Sequence, residues 1–399
     1  MQTNQNLNIQ TLIFYLSQLF ERMAYYGLRA ILILYMITEL SVERLEALSI
    51  YGWITGALIG FGLIGALFGD LLIGNKTSMI IGGVLQIIGA LLFLIPNTSG
   101  VYAGLFMVIL GTGFYMPNVT AQYGKLFLNK PKLLDSAFTG IYVAINIGAF
   151  LGILLIGLVY ENYGKVYGFA LVSILFALSL MFSFLTKDTK LFNIDFKAIK
   201  IESRIIKIGL AIIIVALFWL VYQVSSSKLF DIQYALRPLF EDVISNRLWE
   251  SFTSIAVLPV ALIMIFVWYF IYNSQFLKLA IGFIFTTLSF GVLFLIPETI
   301  EKNHLSLYLL SILLFAIAEV HVAPILRSVL TQYTNPKYLA IILSLALIPT
   351  RLVGSVLTNN SEYFYSNNSI VLILCTVLAG CIGFGLLFFM LLNRKLKLL

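Results

Sequence analysis

Charge is scarce in this sequence. Lys and Arg number 25 and Asp and Glu 18, together 11% of 399 residues, where a soluble domain carries roughly 25%. With 60% hydrophobic residues and a mean hydropathy of +0.99, a water-soluble enzyme is excluded. Cysteine is nearly absent: Cys375 and Cys381 share one apolar run, which leaves no disulfide framework and no Cys-based metal site. Histidine is equally rare, and His304 and His321 stand at no ligand spacing. A nucleotide loop is missing too. Gly69 to Thr77 reads Gly-x4-Gly-x-Lys-Thr, one residue too long for a phosphate-binding loop, so ATP-driven pumping by this chain is not expected. The start, Met1 to Gln10, lacks the basic region of a signal peptide, and the first apolar run is read as a retained span.

What is present is long apolar runs. A bilayer-spanning helix needs about 20 such residues, and twelve candidates fall at 10–38, 46–70, 77–96, 100–124, 135–160, 167–186, 207–229, 249–273, 276–297, 304–331, 337–358 and 369–393. The expected class is an all-α polytopic membrane protein with twelve transmembrane helices. The net charge of +7 could suggest nucleic acid, but excess Lys and Arg also marks cytoplasmic loops. With the N-terminus inside, 16 Lys and Arg face the cytoplasm and 6 face out. Both termini are therefore read as cytoplasmic, the cell (inner) membrane as the location, and nucleic acid as no partner.

A basic stretch holding Lys187, Lys190, Lys197, Lys200, Arg204 and Lys207 divides the chain. The organisation read from it is a six-helix bundle over 1–186, a cytoplasmic linker over 187–206 and a second bundle over 207–399. The halves look related. Pro117, Pro131-Lys132 and Asn146 in the first are matched by Pro324, Pro336-Lys337 and Arg351 in the second, with the same fourteen-residue offset after the lysine. Two similar six-helix halves are the pattern of the major facilitator architecture, which binds substrate between them near the midplane.

Ionisable groups at membrane depth are expensive and mark function by default. The first span holds Glu21, Arg22 and Arg29, and Gln18, Arg22, Tyr25 and Arg29 form an i, i+4, i+7, i+11 stripe with Tyr26 beside it. Such a stripe faces either a wet cavity or a buried polar lock between helices. Glu319 is the mid-span acid of the tenth run, near Pro324. Arg351 and Glu250 are weaker candidates, since a long side chain near a helix end can reach the headgroups. Asp70, closing the second span ahead of Gly74 and Lys76, can latch neighbouring helices in a gate. Tyr115, Tyr142, Trp219 and Tyr222 adjoin these polar positions; most other aromatics are expected in lipid-facing or interfacial belts. No Asp lies mid-span and neither histidine has a partner set, so an intramembrane enzyme is not expected.

The stretch Glu21-Arg22-Met23-Ala24-Tyr25-Tyr26-Gly27 resembles the first-helix ExxERFxYYG of proton-dependent oligopeptide transporters, a family within the major facilitator superfamily. Gly111-Thr112-Gly113-Phe114-Tyr115-Met116-Pro117-Asn118 is similar to the family's fourth-helix GxGxxKPN. Ile141-Tyr142-Val143-Ala144-Ile145-Asn146-Ile147-Gly148 is similar to FYxxINxG, and Phe218-Trp219 with Gln223 to FWxxxEQ. Glu319 with Pro324 resembles the tenth-helix glutamate and proline. Three positions depart: Gln18 replaces a glutamate, Met116 a lysine and Tyr222 an acid. Losing both members of a buried ion pair can be near neutral, whereas losing one is costly, so the loss of one negative and one positive group reads as a coherent, altered site.

The resemblance implies a secondary transporter moving small peptides or a related amphoteric solute by alternating access, with proton coupling. The alternative is an exporter or facilitator for a different organic solute with altered or absent coupling; a receptor that binds without flux is a further class. Implied substrate-binding residues are Arg22, Tyr25, Tyr26, Tyr115, Tyr142, Asn146, Trp219, Gln223 and Glu319. Glu21 and Glu319 are implied proton carriers, since a carboxyl out of water favours its neutral form. Arg29 and Asp70 are assigned to gating, with Glu250 a guessed partner for Arg29. No cofactor or metal is expected. The partners are the solute, protons and the lipid bilayer, and the chain is expected to act as a monomer.

Overall fold

A chain in lipid must satisfy its own backbone, and an apolar run does so alone only as a helix. The computed structural model describes residues 2–95, 97–188, 200–244, 246–349 and 368–396, and among these there is no strand. Among the described residues a helix lies within each expected span, although in the eleventh it covers only seven residues. In order they are α1 (Gln2–Thr38), α2 (Arg44–Leu67), α3 (Asn75–Leu92), α4 (Thr98–Lys125), α5 (Leu134–Tyr163) and α6 (Lys165–Leu185). They continue with α7 (Ile201–Leu236), α8 (Asn246–Phe270), α9 (Gln275–Leu293), α10 (Leu305–Tyr333), α11 (Leu339–Leu345) and α12 (Asn368–Leu396). Eight helical segments are long and apolar enough to cross a membrane. The first helix has the length, but its middle carries Glu21, Arg22 and Arg29. The second half of the expected eleventh span, with Arg351, lies outside the described residues, as do 189–199 of the basic linker.

Punctuation follows local chemistry. Gly74 at φ +84° precedes α3 and Gly164 at φ +91° separates α5 from α6, conformations that favour glycine. Asn97 caps α4 by accepting from Gly100 N at 2.6 Å, satisfying one of the orphan donors of a helix start. A five-residue π-helical segment, Phe68–Leu72, extends α2 and carries Asp70.

The chain forms two compact units. The first comprises 1–134, 140–200 and 330–348, and the second comprises 135–139, 201–329 and 349–399. In the first, small residues let helix backbones approach closely, the means by which helices associate in lipid. A methyl group on Gly82 would lie 2.6 Å from the carbonyl oxygen of Gly111, and one on Gly111 would lie 2.6 Å from that of Gly82. The same device seats α1 on α5: a methyl on Gly152 would lie 2.2 Å from Met23 O. The charged turn of α1 is thereby pressed into the interior of this unit. In the second unit, Phe218 packs against Phe283 and Phe315 at 5.8 Å each, and Tyr222 stacks on Phe315 at 4.4 Å.

Candidate functional site

The polar stripe on α1 is buried. Glu21 is fully buried, and Gln18, Arg22 and Tyr25 are nearly so. Arg22 donates from Nε to Glu21 Oε2 and from Nη2 to Oε1 at 2.6 Å, a two-point grip that fits the planar guanidinium fork. Gln86 on α3 donates to the same Oε1 at 2.8 Å and to Thr112 Oγ1 on α4 at 2.9 Å. A charge moved out of water needs both a counter-ion and hydrogen bonds for its remaining lone pairs; Glu21 has both. The Arg22 guanidinium lies 4.7 Å from the Tyr25 ring centre and 5.8 Å from that of Tyr26. Arg29 approaches the same two rings at 5.7 and 5.9 Å. The rings meet edge to face at 5.5 Å. Two cations thus flank one tyrosine pair, within the range of cation–π attraction.

Gln18 differs from its neighbours. Neither end of its buried amide has a hydrogen-bond partner among the described residues, which is rare for a buried polar group. Met116 is half-buried and offers only a weak thioether acceptor.

Tyr115 lies elsewhere in the packing. It is fully buried, and its phenol meets Ser17 Oγ at 2.6 Å and Ser179 Oγ at 3.1 Å. Ser17 also meets Ser183 Oγ at 2.8 Å, so these hydroxyls tie α1, α4 and α6 together. Tyr142 is buried, and Asn146, half-buried, donates to Tyr142 O at 2.8 Å. Asp70 does reach across helices. Its Oδ2 accepts from Ile341 N at the start of α11 at 2.9 Å, and its Oδ1 accepts from Asn75 at 2.9 Å.

In the second unit, Trp219 and Tyr222 meet edge to face at 5.7 Å. Glu319 is half-buried and lies within electrostatic reach of the Tyr222 phenol; Gln223 is half-buried one position further along α7. The side chain of Glu250 lies outside those described, so its pairing with Arg29 receives no structural account.

Several polar groups went unmarked by the sequence reading. Asn118 donates to Gly65 O, Ser78 Oγ and Phe114 O at 2.8 to 3.0 Å and accepts from Asn75 at 2.7 Å. Lys125 completes this network on Asn75 Oδ1 at 2.5 Å. Asp135, at the start of α5, receives Lys278 on Oδ2 at 2.5 Å and both Gln275 and Ser328 on Oδ1. Gln86 carried one signal, an amide alone in an apolar run; Lys278 carried another, a cation just inside the ninth.

Long apolar helices around a buried, charge-bearing helix face define a polytopic all-α membrane fold. Among solved structures, a POT family transporter in complex with a thioalcohol conjugated peptide matches with a TM-score of 0.66 at 19% identity, covering 95% of each chain. Another, in complex with 5-aminolevulinic acid, matches with a TM-score of 0.62 at 18% identity, again over 95% of each. The sequence profile of the POT family (PTR2) matches residues 76–193. Dipeptide and tripeptide permease A of Pectobacterium carotovorum is 28% identical over 211 residues, 51% of this chain and 42% of that protein. The permease A of Proteus mirabilis is 29% identical over 156 residues, 39% of this chain and 32% of that one. The chain therefore spans less than half the length of these curated relatives. It is similar to the POT family over residues 76–193.

Proposed function

We propose that the chain is a secondary transporter that moves small peptides or a related amphoteric solute across the inner membrane by alternating access. Protons are the coupling ion, and both termini are cytoplasmic. The observation that carries this reading is the buried face of α1, where Arg22 and Arg29 flank the Tyr25–Tyr26 pair. Arg22 pairs with Glu21, and Arg29 stands on the same two rings. A substrate carboxylate would be drawn to the cationic face of α1, with Tyr142 and Asn146 as further substrate-binding residues of the first unit; in the second unit Glu319, Trp219 and Gln223 would be substrate-binding residues, Glu319 toward an amine. Glu319 would carry the proton. Glu21, gripped at both oxygens, would serve to hold Arg22 in position. Arg29 and Asp70 would act in gating, and the functional unit would be one chain. The permeases named above carry dipeptides and tripeptides in their names, and that supports the substrate class.

One observation favours a second reading. Met116 and Gln18 stand where the family pattern has a lysine and a glutamate, and two nitrogens of Arg22 are already committed to Glu21. A facilitator or exporter for another organic solute fits that altered cavity.

A ligand that binds the folded chain raises its melting temperature in proportion to ln(1 + [L]/Kd). Purified protein in detergent is expected to melt higher with Ala-Ala and Ala-Ala-Ala, and not with their N-acetylated or amidated forms. No shift with any peptide, and a shift with other amphoteric metabolites, would favour the second reading.

A further inference from the structure

Two buried polar groups of the second unit stand without a partner. The Tyr308 phenol on α10 and the Trp249 indole N–H on α8 belong to fully buried side chains, and neither makes a hydrogen bond among the described residues. Elsewhere in this unit Ser289 and Ser311 exchange hydroxyl-to-carbonyl hydrogen bonds at 2.8 and 2.9 Å. A buried Tyr O–H or Trp N–H usually finds a partner, and burying one without a partner costs free energy that a phenylalanine would not. The two rings are neighbours, 6.4 Å apart between centres. Trp249 is fixed at its backbone, where its carbonyl accepts from Gln233 Nε2 at 2.7 Å.

The pair stands at one end of a polar line. Toward the surface, Phe240 meets Trp249 at 6.2 Å, and the ammonium of the exposed Lys302 lies 6.0 Å from the Phe240 ring centre. Toward the middle of α10, Tyr308, Phe315 and Glu319 fall at i, i+7 and i+11, on one face of the helix. The rise from Tyr308 to Glu319 is about 16 Å, more than a single hydrogen bond of about 2.8 Å crosses. Tyr222 on α7 divides that distance. Its ring stacks on Phe315 at 4.4 Å, and its phenol lies within electrostatic reach of both Glu319 and Tyr308.

We propose that Tyr308 and Trp249 hold ordered water, and that this water and the Tyr222 phenol form the route by which protons reach Glu319 from the outer face. The route rests on the reading that Glu319 carries the proton and that both termini are cytoplasmic. A buried water needs two to four polar partners; Trp249 supplies a donor, and each phenol supplies a donor and an acceptor. At each step one O–H bond forms and one breaks: the hydroxyl takes a proton from the outer side and passes its own inward. Every phenol and water therefore ends neutral. The last O–H bond forms on the Glu319 carboxylate, which becomes the neutral acid. The indole N–H orients the water and passes nothing on.

The test uses the full chain reconstituted in vesicles without peptide. The external medium is acidified rapidly while infrared absorption of the protonated carboxyl is followed, and the band that Glu319→Gln removes reports Glu319. Tyr308→Phe and Tyr222→Phe are each expected to slow its rise at least tenfold, and Trp249→Phe at least threefold. The final amplitude and the helical circular dichroism are expected to stay unchanged. Because Trp249→Phe shrinks a buried ring, Tyr308→Phe, which removes only a hydroxyl, is the deciding variant. A rise within twofold of the starting protein in Tyr308→Phe overturns the route and leaves a packing role. Absence of any band sensitive to Glu319→Gln overturns the proton-carrier reading and the route with it. Peptide is absent throughout, so a failed substrate assignment leaves the result intact.

Discussion

Arg22 grips the carboxylate of its own chain neighbour, Glu21, at both oxygens, and Gln86 from α3 completes the contact. Adjacent residues on a helix point about 100° apart, so the guanidinium must fold back along α1 to make this pair. In doing so it lies over Tyr25. The geometry makes Glu21 an anchor for the Arg22 cation.

Removing that anchor leaves a buried cation without its partner. Glu21→Gln is expected to cost about 3–5 kcal/mol of stability, read as a lower midpoint in thermal unfolding of the detergent-solubilised chain. The double variant E21Q/R22M should recover most of the loss. Equal destabilisation in the double variant would contradict the pairing.

Gln18 presents the opposite case. Its amide already lacks partners, so Gln18→Met, similar in shape, relieves an unsatisfied polar group. Stability is expected to stay level or rise by up to about 1–3 kcal/mol. A loss of that size would show that the amide holds a ligand or water essential to the fold.

The α1–α5 contact leaves no room for a side chain at Gly152, where a methyl would meet Met23 O at 2.2 Å. Gly152→Ala is expected to destabilise by about 1–3 kcal/mol through overpacking, and to displace the Arg22 turn. An unchanged melting midpoint with full peptide-induced stabilisation would count against this seating of the site.

Asn118 sits where α2, α3 and α4 meet and makes four hydrogen bonds. Asn118→Ala takes one buried hydrogen bond from each of Ser78 and Asn75, which keep Gly65 O and the Asp70 and Lys125 contacts, at a cost of about 1–3 kcal/mol. Asn118→Asp should fare no better, since the carboxylate has no N–H for the Gly65 and Phe114 carbonyls. Melting curves for both variants test this.

The spans were legible because lipid imposes one rule on the backbone, and the α1 stripe because a period of 3.6 places positions 18, 22, 25 and 29 on one side. Partners were less legible. Gln86 meets Glu21 across 65 positions of sequence and Asp135 meets Lys278 across 143, and neither separation leaves a local pattern. Lys278 stands near the start of its helix, where a cation is ordinary, and only folding brings it against the Trp268 ring. Tyr115 read as a site residue because its motif neighbours are polar; its contacts with the serines of α1 and α6 left no pattern in the sequence.

The measurement that bears most directly on the account is uptake of labelled di- and tripeptides into proteoliposomes, with and without an inward proton gradient, repeated with Glu319→Gln. The account predicts accumulation that requires the gradient and is lost in the variant. Peptide accumulation that ignores the gradient, or that Glu319→Gln leaves at full strength, would contradict it.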